Sequence, residues 1–354
     1  MHDSNRILWV FNLETDLNSD VLAAAHDWIE EFALNFDEIR VYSTHVGLFN
    51  LPKNVSVNEI GGGSAFVKMV GLWRLLKLIP ILFIRRKQSC VFHHMSPRTA
   101  LILGIPIKLF GIYQAIWYSH SKASISLKIS QYFVSTIFSS IPGALPIKTK
   151  KAKFVGHAIS SKRFNELNNR TKRHGIVSVG RFANIKRFDY LLREISKLPN
   201  SLKSELEVKL IGKHTDSQEY YKNLILIAES NGLKLSIFDS INYKDIPSVL
   251  KKAKYFYSGT PNSVDKAVIE AAMAGCLIIS ENENVLSLTG MTEIWTDIAE
   301  KRPIRIADQI LQLEKLSVDQ NLQIAKSIST SATKKSDLSS TIFAISQNLG
   351  RNLK

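Results

Sequence analysis

The chain has 354 residues, of which 45% are hydrophobic and 22% charged, with 17 Gly, 10 Pro and 2 Cys. That composition fits two globular domains of ordinary size and excludes disordered, collagen-like and coiled-coil chains. The formal charge is +15, and one interval supplies it all: between Glu59 and Glu166 there are sixteen Lys and Arg and no acidic residue.

Short apolar runs alternate with amphipathic stretches along the whole chain. No secretory signal is expected at the start, where Asp3 falls within 1–6 and no long apolar core follows. Strands are predicted at 6–11 (RILWVF), 38–43, 55–60, 89–93, 114–118 and 135–139, with an amphipathic helix over 20–34. A polar linker is expected at 165–174. The alternation then restarts, with strands at 175–179, 207–211, 233–238, 255–258 and 277–280 and helices at 188–196, 218–230, 245–252 and 264–274. This βαβ rhythm predicts an α/β protein of two doubly wound, Rossmann-like parallel-sheet domains, 1–165 and 166–354, facing a central cleft. The last helix is expected to pack back on the N-terminal domain.

The basic interval attracts anionic partners. Within it, 67–84 reads VKMVGLWRLLKLIPILFI and ends in Arg85-Arg86-Lys87. That pattern suits a helix lying at a membrane interface, and equally an ordinary core-facing helix with solvated lysines. A membrane span is not expected, because Pro80 and the charges interrupt this run and Pro106 and Lys108 interrupt the next. No nucleic-acid motif accompanies the charge, so nucleic acid is not an expected partner. Cys90 and Cys276 form neither a metal pattern nor a disulfide framework, which points to a reducing compartment. His93-His94 lacks nearby carboxylate or thiol ligands and reads as a strand end, while His157 falls near the domain connection.

Two stretches carry candidate chemistry. Gly180-Arg181 follows an apolar strand, and Lys186 precedes a helix. A forked guanidinium and a mobile ammonium at a strand's mouth suit a diphosphate, although a strand–helix connection can carry both as mere surface residues. In 258–276 (SGTPNSVDKAVIEAAMAGC), Asn262 or Ser263 can cap a helix and Asp265 favours its first turn. The helix N-terminus then offers N–H groups to a phosphate or sugar hydroxyl. Glu270 can accept from a ribose diol, or can simply pair with Lys266 one turn earlier.

VSVGRFANIKRFD at 177–189, Leu210-Ile-Gly212 and 262–275 together resemble the retaining GT-B glycosyltransferases of the GT4 (group 1) family, over essentially the whole chain and most strongly over 175–280. The resemblance implies that Gly180, Arg181 and Lys186 hold the donor diphosphate and that Glu270 binds the nucleotide ribose. Asn262 replaces the first glutamate of the family's E-x7-E element, and Asp265 or Lys266 is implied to take over part of its role, beside Ser263 and Gly212. Trp117-Tyr-Ser-His120 resembles the family's strand-end histidine that reaches the donor sugar. The family's glycine-rich loop after the first strand is absent from 12–19, and Gly61-Gly-Gly63 falls too late to replace it.

The implied activity is sugar transfer from a nucleotide sugar, UDP-linked before GDP-linked, to a glycan or polyprenyl-diphosphate-linked acceptor. The expected setting is bacterial surface-polysaccharide (O-antigen, capsule or lipopolysaccharide) synthesis, in the cytoplasm or peripherally at the membrane's inner face through the basic 60–165 segment. No Asp-x-Asp signature occurs, so no metal or cofactor is expected. A nucleotide- or anionic-lipid-binding protein without transferase activity is the rival reading. A second rival, an NAD-dependent enzyme, is disfavoured by the lack of G-x-G-x-x-G after the first strand.

Overall fold

The computed structural model describes residues 5–19, 24–61, 65–120, 122–164, 173–213, 218–261 and 263–350, with the backbone alone at 65–68. The chain divides into one unit of Met1–Ala158 with Ser336–Lys354 and a second of Ile159–Lys335. The division falls ahead of the boundary expected at 165, because Ala158 is still held by the first unit: it lies in that unit's core, and its carbonyl accepts from Trp28 Nε1 at 3.2 Å. Most of the linker expected at 165–174 lies outside the described residues.

In the first unit the elements run β1 (Ile7–Thr15), α1 (Ala24–Ala33), β2 (Glu38–Val46), β3 (Val55–Glu59), α2 (Ala65–Leu76), α3 (Leu78–Ile84) and β4 (Ser89–His94). They continue through α4 (Pro97–Leu109), β5 (Tyr113–Trp117), α5 (Ile125–Ser130), β6 (Thr136–Ser139) and β7 (Ala152–Phe154). The seven strands form a parallel sheet in the order β3-β2-β1-β4-β5-β6-β7. Ile7, Leu8, Trp9 and Phe11 on β1 are all fully buried, as a central parallel strand covered on both faces requires. The apolar run 67–84 is broken at Lys77 into two helices. Pro80 sits in the first turn of α3, where its missing N–H removes no intrahelical bond.

The second unit holds α6 (Ser161–Phe164), β8 (His174–Val179), α7 (Phe188–Ser196), α8 (Asn200–Glu205), β9 (Glu207–Ile211), α9 (Gln218–Ser230) and β10 (Lys234–Phe238). After these come α10 (Ile246–Lys252), β11 (Ala253–Ser258), α11 (Lys266–Met273), β12 (Leu277–Ser280), α12 (Glu283–Thr289), α13 (Met291–Ile298) and α14 (Ile306–Glu314). Its five parallel strands are ordered β10-β9-β8-β11-β12. Strand order reverses between β8 and β11, and such a switch point leaves a crevice at the strands' carboxyl ends. The helix α15 (Val318–Ser336) leads to α16 (Leu338–Gly350), which returns to the first unit. There Leu338, Ile342, Ile345 and Leu349 join Trp28, Phe32 and Phe92 in one core.

Candidate functional site

The site is built at the switch point of the second unit's sheet. As β8 ends, the Gly180 N–H donates to the Ile211 carbonyl at 2.8 Å and the Phe182 N–H to that of Lys213 at 2.9 Å, which aligns the loop after β8 with the end of β9. The two loops approach so closely that a Cβ on Gly212 would lie 1.9 Å from the Gly180 carbonyl oxygen, so only glycine fits there. The chain then makes a 3₁₀ turn over Asn184–Lys186 and passes through Arg187 in the left-handed region, at φ 53°. That conformation is held from three sides. Arg187 pairs with Glu281 at 3.0 Å and lies over the Tyr190 ring, and its carbonyl accepts from Tyr257 Oη at 3.0 Å. Burial works against the Arg187 charge, but Glu281 outweighs it and holds the guanidinium's pKa above its ordinary value.

This turn folds the Lys186 side chain back over Gly180, so that a Cβ at 180 would meet Lys186 Cε at 2.9 Å and Nζ at 3.1 Å. Lys186 Nζ lies 2.7 Å from Asp265 Oδ2, which also accepts from the buried Thr260 hydroxyl at 2.7 Å. Asp265 therefore belongs to the N-cap of α11, not to its first turn as expected, and its carboxylate faces the lysine instead of capping the helix. The loop before α11 is pinned by Asn282, whose Nδ2 donates to the carbonyls of Thr260 at 2.8 Å and Ser263 at 2.9 Å. A cavity of about 190 Å³ opens beside these groups, lined by Arg187, Tyr257, Gly259, Thr260, Glu281 and Asn282. A separate cavity of about 200 Å³, walled by Ile176, Val177, Ile211 and Val249, holds none of the predicted residues.

One turn into α11, Lys266 Nζ lies 3.1 Å from Glu270 Oε1 and 3.9 Å from the centre of the Tyr243 ring. Burial opposes the Lys266 charge, yet Glu270 and Tyr243 together raise its pKa above the lysine norm. Glu270 is 4% exposed, and Val268, Ala271 and Ala272 beside it are fully buried under β11 and β12. The structure thus shows the intrahelical pair that the spacing allowed.

Of the predicted residues, Gly180, Gly212, Lys186 and Asp265 meet in one network, with Lys266 and Glu270 on the adjoining turn. Arg181 is exposed at the same strand end. Asn262 lies outside the described residues. His120 belongs to the first unit, after β5, where it is exposed and its Nδ1 accepts from the Lys122 N–H at 3.0 Å. Sequence reasoning missed Arg187, Tyr243, Glu281 and Asn282, because each meets its partner across a long stretch of sequence, and it missed Thr260, whose hydroxyl bonds Asp265 five residues on, because a lone threonine in a loop carries no signal. Among the described residues, the groupings spaced for a cation are Glu14–Asp16–His45 and His26–Asp27–Glu30, both in the first unit and neither containing a predicted donor residue.

An electropositive strand end facing a helix N-terminus can hold a diphosphate. Residues 160–328 match the family model of the glycosyl transferases group 1. No curated protein matches the chain. Among solved structures, a glycosyltransferase from Rickettsia africae superposes with a TM-score of 0.71 at 13% identity, covering 99% of both chains. HepE of Anabaena, in complex with UDP, gives 0.67 at 12%, covering 98% of this chain and 99% of that one. Sucrose-phosphate synthase from Thermosynechococcus elongatus gives 0.70 at 10%, covering 97% and 98%. With residues 160–328 matching the group 1 model and its two parallel sheets superposing on these folds, the chain carries a group 1 glycosyltransferase domain in its second unit and has the GT-B fold.

Proposed function

We propose that this enzyme moves a sugar from a nucleoside diphosphate sugar to a hydroxyl of a glycan or lipid-linked glycan, with retention at the anomeric carbon. The observation that carries the reading is Lys186 Nζ, folded over Gly180 at the mouth of β8 and 2.7 Å from the residue that starts α11. Breaking the bond between anomeric carbon and diphosphate leaves an oxocarbenium-like sugar and an anion. Cations placed where that anion grows stabilise the transition state more than the ground state. Lys186 and Arg181 supply them, with no metal required, and the free N–H groups of α11 add to them. Ser263 and Lys266 lie beside that helix start, Glu270 is assigned to the ribose, and His120 is the first-unit residue assigned to the sugar. The second unit serves as the donor domain and the first as the acceptor domain. UDP is the favoured base, in line with the HepE complex, and GDP is next.

The acceptor is a growing glycan on a polyprenyl diphosphate, in assembly of a bacterial surface polysaccharide such as an O-antigen or capsule at the membrane's inner face. Such an acceptor presents an anion and a bilayer to the basic interval of the first unit. Among the described residues, no helix is long and apolar enough to cross a membrane, so the proposed attachment is peripheral. Thermal-shift titration with UDP and GDP, followed by hydrolysis of UDP-sugars with and without chelator, tests the reading. No stabilisation by any nucleoside diphosphate, together with no release of UDP, overturns it.

A further inference from the structure

In the first unit, α2 and α3 each carry two apolar edges, and the core uses only one. Leu75, Leu78 and Leu82 are buried against Ile7, Trp9 and Phe11. The other edge presents Leu72, Trp73, Leu76, Phe83 and Ile84 to solvent, with Trp73 58% and Ile84 74% exposed. α3 packs on α4, which adds Ile105 and the 79%-exposed Leu109, and Phe83 meets Phe110 edge-on at 5.1 Å. Folding does not account for so many large apolar side chains left exposed on neighbouring helices, and a contiguous patch of this kind marks an interaction surface.

The charges around it identify the partner. Lys77 Nζ lies 3.2 Å from the centre of the Trp73 ring and the Arg86 guanidinium carbon 4.5 Å from that of Phe83, so cations rim the apolar residues. Arg85, Lys87 and Lys108 flank the same helices, and the interval holds no carboxylate. A protein partner or a second copy of this acid-containing chain has no special need of a collar of one sign. An anionic bilayer does: apolar side chains enter the acyl boundary while Lys and Arg stay among headgroup phosphates.

We propose that the α2–α3–α4 face is a docking surface for anionic phospholipid, with Trp73, Phe83, Ile84 and Leu109 entering the interface and Lys77, Arg85, Arg86 and Lys87 contacting headgroups. The inference rests on the lipid-linked-acceptor part of the proposed function and names the surface that meets the membrane.

Flotation of the full-length protein with vesicles of phosphatidylcholine, alone or mixed with phosphatidylglycerol, tests it. The protein is expected to float only with the anionic vesicles. A basic residue near such a surface contributes roughly fivefold in partitioning, so replacing Arg85, Arg86 and Lys87 together with Gln should weaken binding on the order of 100-fold. The pair Ile84→Ser and Leu109→Ser, at exposed positions that spare the core, should weaken it by about tenfold or more. Absence from anionic vesicles, flotation untouched by either variant, or a solution dimer that the Ser variant dissociates would each overturn the proposal. UDP-dependent thermal shift on the same preparations, without vesicles, separates the two readings. A protein that binds UDP and never floats defeats the docking surface alone, whereas one that floats without binding any nucleotide supports it and defeats the transfer reading.

Discussion

The two units handle positive charge in opposite ways. In the second, cations are matched by carboxylates: Lys186 with Asp265, Arg187 with Glu281, Lys266 with Glu270, Lys254 with Glu314 and Arg302 with Glu283. Among the described residues of the first between Ile60 and Ala158, the bonded cations find neutral carbonyls instead, that of the Asn348 side chain for Lys153 and those of the backbone for the others. Arg74 donates to Glu59 and Ile60, Lys108 to Tyr132, and Lys151 to Gln131 and Val134. A carbonyl orients a cation without neutralising it, so the field of this interval still projects into solvent. Paired charge serves geometry in the second unit, whereas the interval's charge, on the docking proposal, serves attraction.

The largest effect should come from breaking the second unit's site. Lys186→Ala and Arg181→Ala are each expected to lower turnover roughly 100- to 1000-fold, about 3–4 kcal/mol, because each removes a cation proposed to meet developing charge. The readout is UDP release at saturating donor, with the fold checked by circular dichroism. By contrast, the Arg85/Arg86/Lys87→Gln variant should keep its UDP-induced thermal shift, since those residues belong to the unpaired side. Near-normal turnover in both site variants would dissolve the contrast.

Next in size is the return of α16 to the first unit. Ile342 is fully buried in that unit's core, while Ser339 Oγ donates to Glu31 at 2.9 Å and Thr341 Oγ1 to the Val155 carbonyl at 2.9 Å. Ile342→Ala should therefore destabilise the first unit by about 3 kcal/mol, through lost burial and the cavity left behind. Urea unfolding followed by the near-ultraviolet signal should show an early transition in the variant. A single unchanged transition would place the helix elsewhere.

The units are also expected to differ in acid sensitivity. His93 and His94 end β4 inside the first unit, and burial depresses their pKa values to about 3 and about 4. His93 Nδ1 is bonded to Thr99 Oγ1 at 2.8 Å, and the His94 ring lies against Trp28. His174, in the second unit, is exposed. An unfolded imidazole takes up its proton near pH 6.5, whereas these folded ones do not until about pH 3–4, so the unfolded state binds more protons in between. Stability of the first unit should then be flat above pH 6.5 and fall as pH drops below it, by about 2 kcal/mol per buried imidazole at pH 5. His94→Phe should flatten part of that slope in urea melts run between pH 7 and 5. A slope unchanged by the substitution contradicts the assignment.

How much of this was legible depends on how local each signal is. Strands β4, β8 and β11 are continuous apolar runs, so their positions were read to within a residue or two, whereas β1 continues to Thr15, four residues past its predicted end, through the more polar Asn12–Thr15. The break at Lys77 was not read, because an uninterrupted apolar run does not say where one helix ends and another begins. Beyond 280 no helix bounds were predicted, although the last helix was expected to pack on the N-terminal domain, because successive helices with no strand between them leave no alternation to mark their ends. In the site, the Gly180, Arg181 and Lys186 spacing was local and visible. The bonds from Asp265 to Lys186 and from Arg187 to Glu281 join residues 79 and 94 positions apart, and no spacing rule reveals them.

The smallest expected effect bears most directly on the paired side of the comparison. Asp265 Oδ2 occupies Lys186 Nζ and takes the Thr260 hydroxyl as well, so an incoming diphosphate must compete with an anion already in place. Lys186 is 14% exposed and Asp265 31%, so the pair is partly solvated and worth no more than a typical ion pair near the surface. Replacing the carboxylate with an amide of the same shape keeps the Thr260 contact and frees the lysine's charge. Asp265→Asn should accordingly bind UDP about two- to fivefold more tightly, an increment of under about 1 kcal/mol, and the gain should shrink as salt rises. Calorimetric titration at two ionic strengths reads both quantities. Weaker binding in the variant would mean that Asp265 orients Lys186 for the diphosphate rather than contending with it, and that the pairing throughout the second unit serves assembly of the site.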